Sequence, residues 1–124
     1  MSSPLDVDKY QEWAQSCSVR EFSKLYFMCG LSEEVGEVAG KIKKEVRDNR
    51  DIKLVRQDVK KELGDVMWYL SNLAGKYDLK LSEILQGNID KIESRQKRGK
   101  LQGSGDDRWR ANLQLIFLQL NSQR

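Results

Sequence analysis

The sequence predicts an all-α fold, a bundle of four helices joined by short connections. Its apolar residues recur at helical spacing and almost nowhere alternate as they would in a half-buried strand. The 124 residues include only one proline, so few positions interrupt a helix. This length and a hydrophobic fraction of 39% are typical of a single domain with its own core.

Four segments of the chain show the periodicity of amphipathic helices. Asp6 and Ser82 are predicted to cap the first and the fourth helix, because their side-chain oxygens can accept hydrogen bonds from free backbone N–H groups. The segment "RDNR", at residues 47–50, separates the second helix from the third. The predicted helices cover residues 6–16, 22–46, 52–76 and 82–97.

The second and third helices are predicted to pair antiparallel and to carry more apolar surface than one further helix can cover. Each has about 25 residues and a length on the order of 37 Å. We therefore expect these long helices to form a homodimer or a homotetramer. The apolar residues predicted to be buried are Val7, Tyr10, Trp13 and Ala14 in the first helix and Leu25, Met28, Leu31, Val35, Val38 and Ile42 in the second.

The C-terminal part of the chain departs from this pattern. A glycine-rich, charged segment, "RGKLQGSGDDR", is typical of a surface loop. The apolar residues of the following tail fit both an alternating pattern and one helical face. We therefore predict a helical domain over residues 1–108 and a separate C-terminal tail over residues 109–124.

The composition excludes several classes of chemistry. The chain has no histidine, which removes the commonest general base and the commonest transition-metal ligand. Cys17 and Cys29 are too few for a secreted disulfide framework, and we expect two reduced thiols packed as small apolar residues. A signal-peptide pattern and a membrane-spanning apolar run are both missing, so we expect a cytoplasmic protein without a membrane partner.

Two helical segments each carry a pair of acidic residues three positions apart. Glu34 and Glu37 lie in "LSEEVGEVAG", and Glu62 and Asp65 lie in "KKELGDVMWYL". A step of three residues turns about 300° on an α-helix, so each pair lies on one face, on adjacent turns. If the two helices pack antiparallel, the pairs can face each other.

Four converging carboxylates would need protons or a cation. Two unit charges about 4 Å apart repel by about 4 kcal/mol at an effective dielectric constant of about 20. With oxygen ligands only, the cation is expected to be hard, Mg²⁺ first and Mn²⁺ second. Because magnesium often completes its coordination with substrate phosphates, such a site also indicates a phosphorylated substrate.

Either acidic pair alone would be typical of a solvated helix face, and the basic run "KIKKEVRD" beside the first pair indicates such a face. The small residues around the acids favour a site instead. Gly36, Ala39, Gly40 and Gly64 would let a helix or a ligand approach closely. Glycine costs a helix up to about 1 kcal/mol relative to alanine, so solubility does not account for its presence there.

The order "EEVGE…ELGD" resembles the ExxE…ExxD signature of the MazG-like all-α nucleotide pyrophosphohydrolases. The resemblance spans roughly residues 10–108 and includes a third element, "NIDKIESRQKRG". It implies the four-helix MazG fold and hydrolysis of (deoxy)nucleoside triphosphates to monophosphate and pyrophosphate. It also implies that Glu34, Glu37, Glu62 and Asp65 are catalytic residues and magnesium ligands.

The third element supplies hydrogen-bond donors. Asn88, Lys91 and Arg95 follow at i, i+3 and i+7, which places an amide, an amine and a guanidinium on one helical stripe. Such donors suit phosphate oxygens, and we expect these residues to bind the substrate. Because family members often take base-contacting groups from the first helix and a neighbouring subunit, the resemblance also makes Trp13 a candidate for contact with the nucleobase.

A non-catalytic function remains as the alternative. The segment from Lys91 to Arg110 has seven basic and three acidic residues, a net charge of +4, and could bind phosphate groups in a helical nucleic-acid-binding or regulatory module. This hypothesis gives no reason for the four acids. The net charge of the whole chain, +3, is too small to indicate a polyanionic partner, and we do not expect nucleic acid to be one.

Overall fold

The computed structural model of the protein describes residues 4–99, which form four α-helices. Helix α1 spans Val7–Ser16, α2 spans Lys24–Asp48, α3 spans Ile52–Gly75 and α4 spans Leu81–Lys97. No strand occurs in the described range, so the predicted all-α fold class is confirmed. Within residues 4–99 no helix has the length and apolar character that a membrane span requires.

The ends of the helices follow from local chemistry. Asp6 is the N-cap of α1, as predicted, and its carboxylate accepts hydrogen bonds from the N–H groups of Asp8 and Lys9 at 2.9 and 3.2 Å. Ser23 caps α2 in the same manner. The C-cap of α2 is Asn49, whose φ of 46° lies in the left-handed region that asparagine tolerates.

Helices α2 and α3 form an antiparallel pair. Near the start of α2, the rings of Phe27 and Trp68 lie 6.1 Å apart, centroid to centroid. Beyond the end of α2, Arg50 Nη2 lies 3.1 Å from Asp58 Oδ2, near the start of α3. Later residues of α2 therefore face earlier residues of α3, as predicted for the two long helices.

The face that α2 buries differs from the predicted one. Leu25, Met28, Val35 and Ile42 are between 47% and 71% exposed, so the prediction that they form a buried stripe is wrong for the single chain. Leu31 and Val38 of the predicted stripe are half-buried, and they share the packed side of α2 with Phe27, Gly30, Glu34 and Lys41. Glycine at position 30 lets the Tyr69 ring approach the α2 backbone closely, which favours this side of α2 as the contact with α3.

The buried face of α1 contains a polar residue that apolar periodicity did not indicate. Gln11 is only 5% exposed, whereas Val7 and Trp13 are 38% and 56% exposed, so the prediction that these two are buried is wrong. The Gln11 amide donates to the carbonyl oxygens of Ser71 and Leu79 at 3.2 and 2.9 Å, and its Oε1 accepts from the Leu81 N–H at 3.0 Å. Gln11 thus joins α1 to the end of α3 and the beginning of α4, with its hydrogen-bonding groups satisfied.

The start of α4 is capped from a distance. The helix begins at Leu81, so the prediction that Ser82 is its N-cap is wrong. Asp8 performs this function, because its carboxylate accepts from the Ser82 N–H at 2.9 Å and from Ser82 Oγ at 2.6 Å. From Glu83 onward, which includes most of α4, the chain belongs to a second compact unit. The predicted boundary at residue 108 and the tail 109–124 lie outside the described residues.

The Asp8 cap is expected to make the stability of the fold depend on pH. The hydrogen bonds from the Ser82 hydroxyl and N–H lower the pKa of Asp8 below its ordinary value. Since the folded-state pKa is lowered, the stabilisation is present above the unfolded-state pKa, about 3.9, and is lost as pH falls through the folded-state value. We expect the wild-type melting temperature to fall more steeply than that of Asp8→Asn between about pH 5 and pH 2. Thermal melts followed by circular dichroism test this, and equal slopes for the two proteins would contradict it.

The two cysteines are more accessible than expected. Cys17 and Cys29 are both free and exposed, so the prediction that they pack as small apolar residues is wrong. Cys17 lies at the C-cap of α1, beyond its packed face. Cys29 lies on α2 next to the buried Gly30, and one residue along a helix turns about 100°, which carries its side chain out of the contact with α3.

Candidate active site

Three of the four predicted acids meet between α2 and α3. Glu34, Glu62 and Asp65 each offer a carboxylate oxygen, and these oxygens all lie within 4.8 Å of one another. We call these three residues the acidic trio. Glu34 and Glu62 are half-buried and Asp65 is exposed, so the trio is open to a ligand from one side. Three carboxylates without histidine or thiolate are a donor set that fits a hard divalent cation.

The fourth predicted acid lies outside this group. Glu37 is exposed on α2 and is not within the 4.8 Å cluster, although it lies one turn after Glu34. Glu33, the acid next to Glu34, is exposed as well. The function of Glu37 as a metal ligand stays a prediction.

The acidic trio concentrates negative charge. Burial raises the pKa of Glu34, and the nearby carboxylates of Asp65 and Glu62 raise this pKa further, followed by Glu33 and Glu37. Repulsion of this kind favours either a proton on Glu34 or a cation among the acids. The site can therefore gain stability from a bound divalent ion, which would be held by oxygens of both helices.

One basic residue belongs to the site and was not identified from the sequence. Lys41 Nζ lies 3.1 Å from Glu62 Oε1, and this hydrogen bond and charge raise the pKa of Lys41. The prediction that the segment "KIKKEVRD" forms a solvated face is therefore wrong for Lys41, which is half-buried. The spacing could have indicated this position, because Lys41 follows Glu34 by seven residues and so lies on the same helical face two turns later.

The charge of the trio acts on two tyrosines. Burial raises the pKa of Tyr10 on α1, and the negative charge of Asp65 raises it further. Burial also raises the pKa of Tyr69 on α3, with contributions from a hydrogen bond with Tyr26 and from the charge of Glu34. Phenol groups from two different helices are thus harder to ionise because of burial and the acids.

Trp13 lies on the same helix as Tyr10. Its ring centroid is 5.5 Å from that of Tyr10, and more than half of its surface is exposed. A tryptophan with an exposed ring can stack on a flat ligand, since aromatic faces pack in offset or tilted arrangements. Contact between Trp13 and a nucleobase stays a prediction.

The family model for the MazG nucleotide pyrophosphohydrolase domain matches residues 22–99. The chain belongs to the MazG family. The matched segment contains both acidic pairs and includes α2, α3 and α4 in full. The resemblance based on "EEVGE…ELGD" is therefore confirmed at the level of the family.

A phage protein is similar to this MazG chain over most of its length. The Gene 37 protein of Mycobacterium phage L5 is 47% identical over 85 residues, which cover 67% of this chain and 75% of the phage protein. Its name states no activity. No solved structure matches the chain.

The third element of the MazG signature lies on α4. Asn88 and Lys91 are exposed, whereas Arg95 is only 6% exposed. The stripe that these residues were predicted to share is thus open to solvent at its first two positions and buried at the third. Their function in binding substrate phosphates stays a prediction.

The glycines around the acids do not serve close packing of α2 on α3. A Cβ added at Gly36, Gly40 or Gly64 would meet no described atom within 4 Å. The expectation that these residues let the two helices approach is therefore wrong, and Gly30 has that function instead. The surface beside the acids is open, which leaves room for a ligand or for another copy of the MazG chain.

Proposed function

We propose that this MazG-family protein hydrolyses nucleoside or deoxynucleoside triphosphates to a monophosphate and pyrophosphate, with Mg²⁺ as its cation and Mn²⁺ as a substitute. The observation that carries this proposal is the meeting of Glu34, Glu62 and Asp65 between α2 and α3, in a chain that matches the MazG family over both helices. The proposed activity would control nucleotide pools or remove aberrant nucleotides.

The residues of the acidic trio, together with Glu37, would hold the cation. When bound, Mg²⁺ supplies electrostatic polarisation of the phosphate oxygens and lowers the pKa of a water molecule. A carboxylate of this set that is not engaged in binding would accept the proton of the attacking water. The all-oxygen donor set and the raised pKa of Glu34 support this assignment, because both indicate a site that favours a cation or a proton.

Residues outside the trio would bind the substrate. Lys91 and Arg95 would stabilise the negative charge that develops on the departing pyrophosphate, and Asn88 would donate to phosphate oxygens. Trp13 would contact the base. The exposed ring of Trp13 and the exposed amine of Lys91 support these functions, since both groups are accessible to a ligand.

The exposed apolar surface of α2 and α3 supports a homodimer or a homotetramer as the active form. Leu25, Met28, Val35 and Ile42 of α2 are exposed in the single chain. A groove of about 850 Å³ between the C-terminal half of α2 and the N-terminal half of α3 is lined in part by Ile42, Ile52 and Leu63. A second copy that covered this surface would bury the apolar residues predicted to be in a core. The substrate would place the protein in the cytoplasm, where nucleotides are found.

Product analysis tests the proposed reaction. We expect the purified protein to convert at least one common nucleoside or deoxynucleoside triphosphate to monophosphate and pyrophosphate with Mg²⁺ and to do nothing in EDTA. Anion-exchange chromatography of the products measures this, with the protein taken from each size-exclusion fraction. The activity is expected in the fractions of the dimer or tetramer. In ¹⁸O-labelled water the label is expected in the monophosphate, which indicates attack at the α-phosphorus.

Other products would contradict the proposal in different ways. A diphosphate with inorganic phosphate would show that a different bond is cleaved. If no common, modified or regulatory nucleotide is cleaved by a folded protein, the non-catalytic phosphate-binding or regulatory module becomes the better hypothesis. In that case, binding to polyanions should weaken steeply with salt.

A further inference from the structure

The Lys41 ammonium lies at the edge of the acidic trio. Its Nζ is 3.1 Å from Glu62 Oε1, and the two side chains are only 25% and 16% exposed. Two further carboxylates act on the ammonium, Asp58 from α3 and Glu37 from α2 itself. Lys41 is therefore paired with Glu62 and lies in the negative field of acids from both helices, of which Glu62 and Glu37 are proposed metal ligands.

We propose that Lys41 is an internal counter-ion that neutralises Glu62 in the metal-free site and releases this carboxylate when a divalent cation binds. This inference rests on the metal site of the proposed function. A unit charge and a divalent ion repel twice as strongly as two unit charges at the same distance, so the ammonium and the cation compete for one carboxylate.

The released ammonium gains a different partner. Lysine has a flexible four-carbon stem and three rotatable donors, so Lys41 can move away from Glu62 without a change in the backbone. A triphosphate bound at the trio brings negative oxygens to the same place. Lys41 then contacts a substrate phosphate, and its removal has opposite effects on the binding of metal alone and of the nucleotide.

Metal binding is measured with Mn²⁺ alone, by electron paramagnetic resonance or calorimetry at low salt, on the full chain. We expect Lys41→Met to bind Mn²⁺ about three- to tenfold more tightly than the wild type. Lys41→Arg, which retains the charge, should keep an affinity close to that of the wild type. Glu62→Gln should bind Mn²⁺ more weakly. Circular dichroism checks that each variant keeps its helicity.

Lys43→Met is the matched control. It removes the same charge from the same helix, but position 43 is exposed and lies about 200° around the helix from position 41. Its Mn²⁺ affinity should therefore change by less than about twofold. In turnover with saturating Mg²⁺, Lys41→Met should raise the KM for the nucleotide several-fold, while Lys43→Met leaves it unchanged.

The outcomes separate this inference from the proposed function. If Glu62→Gln weakens Mn²⁺ binding but Lys41→Met binds as the wild type does, the counter-ion assignment is wrong and the metal site stands. If Lys41→Met and Lys43→Met tighten binding equally, the effect is one of net charge and the assignment is again wrong. If the wild type and Lys41→Met both fail to bind Mn²⁺, the inference and the proposed metal site fail together. An unchanged KM in Lys41→Met would overturn the contact with phosphate.

Discussion

Replacing Asp65 with asparagine is expected to lower kcat by about 100-fold or more. Asp65 is the exposed member of the acidic trio and the one most accessible to a cation that enters from solvent. Asparagine retains the shape and one oxygen but removes the charge that a divalent ion requires. Because the substitution also relieves repulsion on Glu34, the melting temperature should stay the same or rise. Steady-state kinetics at saturating Mg²⁺, with thermal melts alongside, measure both effects.

Glu33→Gln is the control for the Asp65 variant. It removes one negative charge beside Glu34 from an exposed position, about 100° around the helix from Glu34. We expect its kcat to stay within about threefold of the wild type, since surface charges are screened by salt and water. Full activity in Asp65→Asn would show that Asp65 is not part of the catalytic site, whatever the trio binds.

The second large effect is expected at Gly30, where alanine should destabilise the protein by about 1–3 kcal/mol. An added Cβ would lie 2.6 Å from Tyr69 Cζ and still closer to two neighbouring ring atoms. The Tyr69 ring has little room to move, because it packs edge-on against Trp68 with centroids 5.0 Å apart and lies 6.2 Å from the Tyr26 ring. The better helix propensity of alanine, up to about 1 kcal/mol, offsets only part of this cost. Urea denaturation measures the free energy of unfolding.

Gly36→Ala separates the steric effect from helix propensity. Gly36 lies on the same helix, and a Cβ there would meet no described atom within 4 Å. We expect Gly36→Ala to leave stability unchanged or to raise it by up to about 1 kcal/mol. Equal free energies of unfolding for the Gly30 and Gly36 variants would mean that Tyr69 does not pack against α2 as described.

Local chemistry made much of the fold predictable from the sequence. The helices are encoded by apolar residues at a spacing near 3.6, and the start of α1 by an aspartate whose side chain reaches the N–H groups two and three residues away. The acidic pairs could be recognised in the same way, since a step of three residues places Glu34 and Glu37 on one helical face in any context. Membership of the MazG family follows from these local patterns taken in order.

Contacts between residues far apart in the sequence determined the features that the sequence analysis missed. Asp8 caps a helix that begins more than 70 residues later, and Gln11 is buried because it satisfies backbone groups at the far end of α3. No periodicity within one helix carries such information.

The sequence by itself determined the helices, the order of the acidic pairs and the family. The tertiary structure alone decided which side of α2 faces α3. Contact between Gly30 and Tyr69 favours that rotation, in which Glu34 meets Glu62 and Asp65 and Lys41 pairs with Glu62. The same rotation leaves most of the predicted apolar stripe exposed, namely Leu25, Met28, Val35 and Ile42. The physical reason is that a helical pattern defines which residues share a face. Which of these faces is buried depends on how closely the two helix backbones can approach each other.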